Sequence, residues 1–355
     1  MNLAEITMRS ILFILLSLCL QFNLGAQEFS KNIDEVANIP IKTQLAGTRK
    51  HYWLRVGTDM FGRSMVVPLI VLKGSQPGKV IGITAAVHGN ELNGVPVIHE
   101  IAQAIDPERL KGTLIAIPGL NPLGMLNNDR LYSDKEDLNR VFPGKKDGNE
   151  SQQLAFFLGD ALLNDLDFLL DLHTASFGRV NSMYVRADLS NDTLSKMARA
   201  LAPDIILNSK GATAGSKATG TLRETASNQG IKSITLEMGD PQIYNREFIS
   251  RGLTGINNLL SQLGFLEEIP SLLGSALVCD RSYWIYTDSG GFLEVLPEVG
   301  QILHKGEIIG LLKDAFGNIK VTYYAPEDGV VIGKSTNPAA ITGSRILHMG
   351  ISHKP

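Results

Sequence analysis

The stretch Val80–Ile105, VIGITAAVHGNELNGVPVIHEIAQAI, decides the fold class. Its first eight residues form an apolar, β-rich run of the kind that lies at the centre of a covered sheet. From Glu91 onward the apolar residues recur at intervals of three and four, the period of a helix. A strand that feeds directly into a helix is the unit of α/β architecture, and the same alternation continues along the chain. GTLIAIPGL, DFLLDLHT and SITLEMG read as further strands, SQQLAFFLGDALL as a helix, and KHYWLRVGTDMFGRSMVVPLIVLK as an opening hairpin around TDMFGRS. The expected fold is therefore α/β: a mixed, mostly parallel sheet with helices on both faces.

The ends of the chain have a different texture. Arg9 precedes the apolar run ILFILLSLCL, which fades through QFNLGA into polar sequence; such a run is too short to span a bilayer and reads as a secretory signal cleaved after Ala26. Beyond Pro270 the sequence becomes short β runs broken by glycine, with no helical period. Three segments are expected: 1–26 as signal peptide, 27–268 as the catalytic α/β domain, and 269–355 as a small all-β domain. Once the signal is removed, Cys279 is the one remaining thiol, so no internal disulfide can form. The 33 Lys and Arg against 36 Asp and Glu give a net charge of −3, which excludes the broad basic field that nucleic-acid binding needs.

In open α/β sheets ligands bind at the carboxyl ends of strands, and chemistry-bearing side chains stand at several such ends here. His88 and Glu91 follow one strand, His173 closes another, and Glu237 closes a third. Two histidines and a glutamate are the donor set of catalytic zinc sites that keep a fourth position for water, which points to one zinc ion per chain. Residues three apart in the first turn after a strand can face one point, and Gly89 is expected to let the backbone pass close to the ion. Glu237, in SITLEMGD, is the candidate proton acceptor beside that water. The long loop Gly119–Gly144 supplies Arg130, Asn139 and Arg140, guanidinium and amide donors suited to a carboxylate and to a developing oxyanion. Arg109, Arg179 and Arg281 read as solvated surface, and His51, His99, His304, His348 and His353 as lone histidines without a direct role.

HGNE, GLNPLG, DLNRVFPG, DLHTAS and LEMGD, in this order, resemble the succinylglutamate desuccinylase/aspartoacylase family, which has a zinc carboxypeptidase-like fold. The resemblance implies zinc held by His88, Glu91 and His173, Glu237 as general base, Arg130 polarising the scissile carbonyl, and Asn139 with Arg140 gripping a substrate carboxylate. The β tail resembles the barrel-sandwich fold of biotinyl and lipoyl domains in VGQILHKGEIIGLLKD and APEDGVVIG. Lys313 is off the carrier position, so the tail is expected to cover the site or to join copies of the chain in a homo-oligomer.

The leading expectation is an exported, periplasmic or secreted zinc hydrolase that cleaves the amide of an N-acyl amino acid or a related small carboxylated amide. It would have no nucleic-acid partner and no stable membrane span after processing. A carboxypeptidase acting on peptides or cell-wall fragments, and a non-enzymatic zinc-containing binding protein, remain as alternatives.

Overall fold

A computed structural model describes residues 33–209, 220–267 and 274–352. The expected signal segment, and the domain boundary after 268, lie outside these residues. The larger unit is built on a ten-stranded sheet. Its strands are β1 (Asp34–Val36), β2 (Thr48–Thr58), β3 (Ser64–Lys73), β4 (Gln76–Ala85), β5 (Lys111–Ile117), β6 (Phe168–His173), β8 (Met183–Ala187), β9 (Ile205–Asn208), β10 (Lys232–Met238) and β11 (Leu277–Cys279), while β7 (Arg179–Asn181) pairs elsewhere. Across the sheet they run β1-β2-β3-β5-β4-β6-β10-β8-β9-β11. The centre is parallel, through β5, β4, β6 and β10; β2, β3 and β8 introduce antiparallel pairings.

The opening hairpin is the pair β2 and β3, and the strands read from GTLIAIPGL, DFLLDLHT and SITLEMG are β5, β6 and β10. Their alternation places successive side chains on opposite faces. Leu170 and Leu172 of β6, with Ile234, Leu236 and Met238 of β10, pack in one core together with α1 (Gly94–Ala104), α4 (Asp192–Ala200) and α6 (Arg246–Gln262). Leu169 packs into the opposite core with α3 (Glu150–Leu163) and α5 (Leu222–Asn228), the first of which starts in a capping box between Asn149 and Gln152. The short helix α2 is Pro122–Asn127. Helices thus cover both faces, as the continuous apolar strands require. None of the helices among the described residues is long and apolar enough to cross a membrane.

The C-terminal unit is two antiparallel sheets packed on a common core that includes Leu303, Ile309, Leu312, Ile346 and Met349. One sheet orders β12 (Arg281–Tyr286), β19 (Arg345–Ile351), β17 (Gly329–Ser335) and β14 (Ile302–Leu303). The other orders β16 (Ile319–Tyr324), β15 (Ile308–Lys313), β13 (Gly291–Val295) and β18 (Ala339–Ala340). Two strands bind the units together: β11 extends the large sheet beside β9, and β7 joins the tail by pairing with β17. Lys313 lies in β15, where its ammonium donates to Glu294 at 2.8 Å.

Candidate metal centre and active-site cavity

The chain turns from β4 toward β5 on one side and returns as β6 on the other, so the carboxyl ends of β4 and β6 frame the point where the strand order reverses. His88, Glu91 and His173 meet at this point. All three are buried, and one ligand atom from each lies within 4.8 Å of the others. Nδ1 of His88 is 2.9 Å from Oε1 of Glu91, and Nδ1 of His173 is 2.9 Å from Oε2. His88 and Glu91 sit in a turn closed by the Glu91 N–H donating to the His88 carbonyl, ahead of α1 and not in its first turn. Gly89 also differs from expectation. A Cβ there would lie 1.9 Å from the backbone carbon of Gly124, so glycine is required by the close approach of α2.

The residues present fit a divalent metal. A compact, buried set of two imidazole nitrogens and a carboxylate is a zinc-type donor set. The far nitrogen of each ring is fixed from behind: His173 Nε2 meets Asp171 Oδ2 at 2.8 Å, and His88 Nε2 meets Asp137 Oδ1 at 3.0 Å. A carboxylate can only accept, so each Nε2 carries its hydrogen and Nδ1 turns toward the cluster. Asp171 is itself held by the Thr84 hydroxyl at 2.7 Å, a neighbour across the β4–β6 ladder. Burial would raise Glu91 and Asp137, but His88, with His173 at Glu91 and Arg130 at Asp137, reverses this and holds both carboxyls below their usual range. For His173 burial lowers the pKa, yet Asp171 and Glu91 outweigh it and hold the imidazolium well above the ordinary range.

The predicted residues outside the cluster come together around it. Arg130 donates to Glu91 at 2.9 Å and grips Asp137 through Nε at 3.1 Å and Nη2 at 2.8 Å. Glu237 lies beside His173 in the β6–β10 register, on the same face, and its Oε2 accepts from the Asn181 amide at 3.3 Å. Burial raises the Glu237 carboxyl above its ordinary range; His173 opposes this and Glu91 adds to it. Asn139 is buried, with its side-chain oxygen taken by the Leu222 N–H at 2.9 Å, while the exposed Arg140 donates to the Asn139 carbonyl at 2.7 Å. Asn139 and Arg140 both reach the same cavity, of about 580 Å³.

That cavity contains groups that local reading missed or set aside. Arg179 is part of its lining and not of the solvated surface, and His348 is a wall residue and not a bystander. Arg186 and Arg223 join Arg130, Arg140, Arg179 and Arg345, so six guanidinium groups face three carboxyls, Glu91, Glu224 and Glu237. Arg223 is 8% exposed, and its only ion pair among the described residues is a loose 3.8 Å contact with Glu224. Arg186 donates to the Tyr184 hydroxyl at 3.0 Å. The tail contributes Trp284, Arg345 and His348: the Trp284 and His348 rings stack at 5.1 Å, and Arg345 lies over Trp284. Burial, with Arg186, Arg179 and Arg345 nearby, pushes His348 down to about 3, so this imidazole is neutral. No local pattern in the sequence marks any of these groups.

The model of the succinylglutamate desuccinylase/aspartoacylase catalytic domain matches residues 77–263, just over half of the chain. An N-alpha-acetyl-L-2,4-diaminobutyric acid deacetylase of Halomonas elongata is 25% identical over 293 residues, covering 76% of this chain and 81% of the relative. Among solved structures, the product-bound ectoine utilization protein EutE (DoeB) of Ruegeria pomeroyi superposes with a TM-score of 0.78 at 22% identity, over 88% of this chain and 97% of that one. A succinylglutamate desuccinylase/aspartoacylase from Rhodobacter sphaeroides does so with a TM-score of 0.76 at 23% identity, over 86% and 96%. From the strand-end motifs, the two-faced sheet and this match across its centre, the chain belongs to the succinylglutamate desuccinylase/aspartoacylase family.

Proposed function

We propose that this protein is an exported zinc-dependent hydrolase that cleaves the amide bond of an N-acyl amino acid or a similar small carboxylated amide. The observation that carries this reading is the buried His88–Glu91–His173 cluster with Glu237 beside it, in the wall of a cavity lined by guanidinium groups. His88, Glu91 and His173 would hold the metal, which when bound supplies Lewis acidity and activates water near neutral pH. Glu237, with its carboxyl raised by burial, takes the proton of the attacking water and returns it to the departing amine. Arg130 borders the ligand cluster and steadies the oxyanion that develops on the carbonyl, while Asp137 keeps its fork in place. Asn139 and Arg140 receive the substrate carboxylate.

The charge of the cavity narrows the substrate. Four of its arginines, Arg140, Arg179, Arg186 and Arg345, have no carboxylate within ion-pair distance among the described residues, and Arg140 is the one already assigned to the substrate carboxylate. Such a surface favours an amide whose acyl group or side chain carries a further acid, and disfavours the amine-bearing side chain of the substrate named for the Halomonas relative. The test is to load the protein with zinc and measure release of amine from N-acetyl and N-succinyl derivatives of acidic, neutral and basic amino acids, with short peptides alongside. Glu237→Gln should retain zinc and lose about 10²–10⁴-fold in kcat. Cleavage of peptides alone would make the protein a carboxypeptidase. No cleavage at all, or an active Glu237→Gln, would sink the hydrolase reading.

A further inference from the structure

The tail does more than roof the cavity, because the strand it pairs with carries an active-site residue. Strand β7 lies between His173 and Tyr184, and it pairs with β17 so that Arg179 opposes Ser335, Val180 opposes Lys334 and Asn181 opposes Gly333. The seam is tied at both ends. Beyond β7, the Ser182 N–H and hydroxyl both donate to the Ile332 carbonyl, at 2.9 and 3.1 Å, and before it the Thr336 N–H donates to the Gly178 carbonyl at 2.9 Å. Asn181, 8% exposed, spends its amide on Glu237 Oε2 at 3.3 Å. Its other side-chain atom faces the tail: a Cβ built on Gly333 would lie 2.3 Å from Asn181 Oδ1 and 2.8 Å from the Val180 carbonyl. Only a residue without a side chain leaves the Asn181 amide group where it is.

We propose that β17 belongs to the catalytic apparatus: Gly333 seats Asn181, and Asn181 is a positioning residue that holds one oxygen of Glu237 and so sets the direction of the other. This rests on Glu237 being the general base. A base misplaced by about 1 Å can lose about 10²-fold in rate, so a contact made outside the chemistry can govern turnover.

The experiment is a two-residue cycle on the full chain, with kcat and KM measured separately, zinc content assayed, and crystal structures of the wild type and Gly333→Ala. Asn181→Ala and Gly333→Ala should each lower kcat by about 10–100-fold while KM moves less than about threefold and zinc stays bound. Added to Asn181→Ala, Gly333→Ala should cost clearly less than it does alone, since the Asn181 oxygen it strikes has gone and only the Val180 carbonyl is left in its way. Lys313→Ala, in the far sheet of the tail, should leave kcat unchanged. The Gly333→Ala crystal should show the Asn181–Glu237 contact broken. Equal losses from Gly333→Ala in both backgrounds, or an unchanged kcat in Asn181→Ala, overturn the proposal. If the wild type cleaves no amide, the crystals still decide the seating: a contact present in the wild type and broken in Gly333→Ala upholds it and removes only the hydrolase reading, and a contact unchanged in both removes the seating itself.

Discussion

Replacing Asp171 by Asn tests whether the buried carboxylate behind His173 is what prepares that ring for a metal. Asp171 is fully buried, 2.8 Å from His173 Nε2 and 2.7 Å from the Thr84 hydroxyl. An asparagine keeps the volume, can accept from Nε2–H through its oxygen and can donate to the Thr84 oxygen, so packing survives and only the charge is removed. A carboxylate in this position is worth about 10–100-fold in metal affinity, or about 1.4–2.7 kcal/mol. Complete burial leaves the charge weakly screened, which places the expectation toward the upper end of that range. Competition against a chromogenic chelator near neutral pH reads the zinc Kd, and calorimetry in buffers of different ionisation enthalpy counts the protons released. Asp171 and Glu91 hold a proton on His173 despite its burial, so zinc should release at least that proton from the wild type and less from Asp171→Asn. A Kd within twofold of the wild type with an unchanged proton count would refute the reasoning.

The same two groups shape the stability of the metal-free protein. His173 is raised above 6.5, so its contribution is full below that pH and is lost as pH rises through its folded value; Glu91 is depressed below 4.5, so its contribution is full above that pH and is lost on acidification. Thermal melts in chelator should therefore show both contributions intact between these values, with stability falling on the alkaline side, and added zinc should remove that fall. Arg223→Gln should cut kcat/KM for an acidic N-acyl amino acid by about 10–100-fold while changing that for its neutral amide by less than threefold, a comparison made on matched substrates. Arg130→Lys loses the fork that spans Asp137 and Glu91 and should lower kcat by about 10²–10³-fold, read by steady-state kinetics. Gly89→Ala drives a methyl into the Gly124 backbone and should destabilise by about 3 kcal/mol or more, read as a fall in denaturation midpoint.

How much of this was legible in the sequence follows from range. The strand-to-helix switch in Val80–Ile105, the apolar strands that carry His173 and Glu237 at their ends, and the helix read from SQQLAFFLGDALL are set by neighbours within a few residues, and each lies where its pattern indicates. The turn that holds His88 and Glu91 is equally local, although the reason for Gly89 is not: it answers to Gly124, which no spacing rule connects to it. Arg179, Arg186 and Arg223 carry no local mark of function because β7, β8 and α5, the last far along the chain from the other two, bring them to one cavity. Trp284, Arg345 and His348 depend on one further step, the docking of a separate β unit through β7 and β17.

Taken alone, the sequence determined the kinds of element and the side chains placed at their ends, since periodicity and turn chemistry act along the backbone. Tertiary structure alone decided which ends meet, which arginines line the cavity with His88, Glu91 and His173, and which tail glycine faces Asn181. Those distances are set by strand order and by the packing of two cores, interactions between residues far apart in the chain that leave no periodic trace in it.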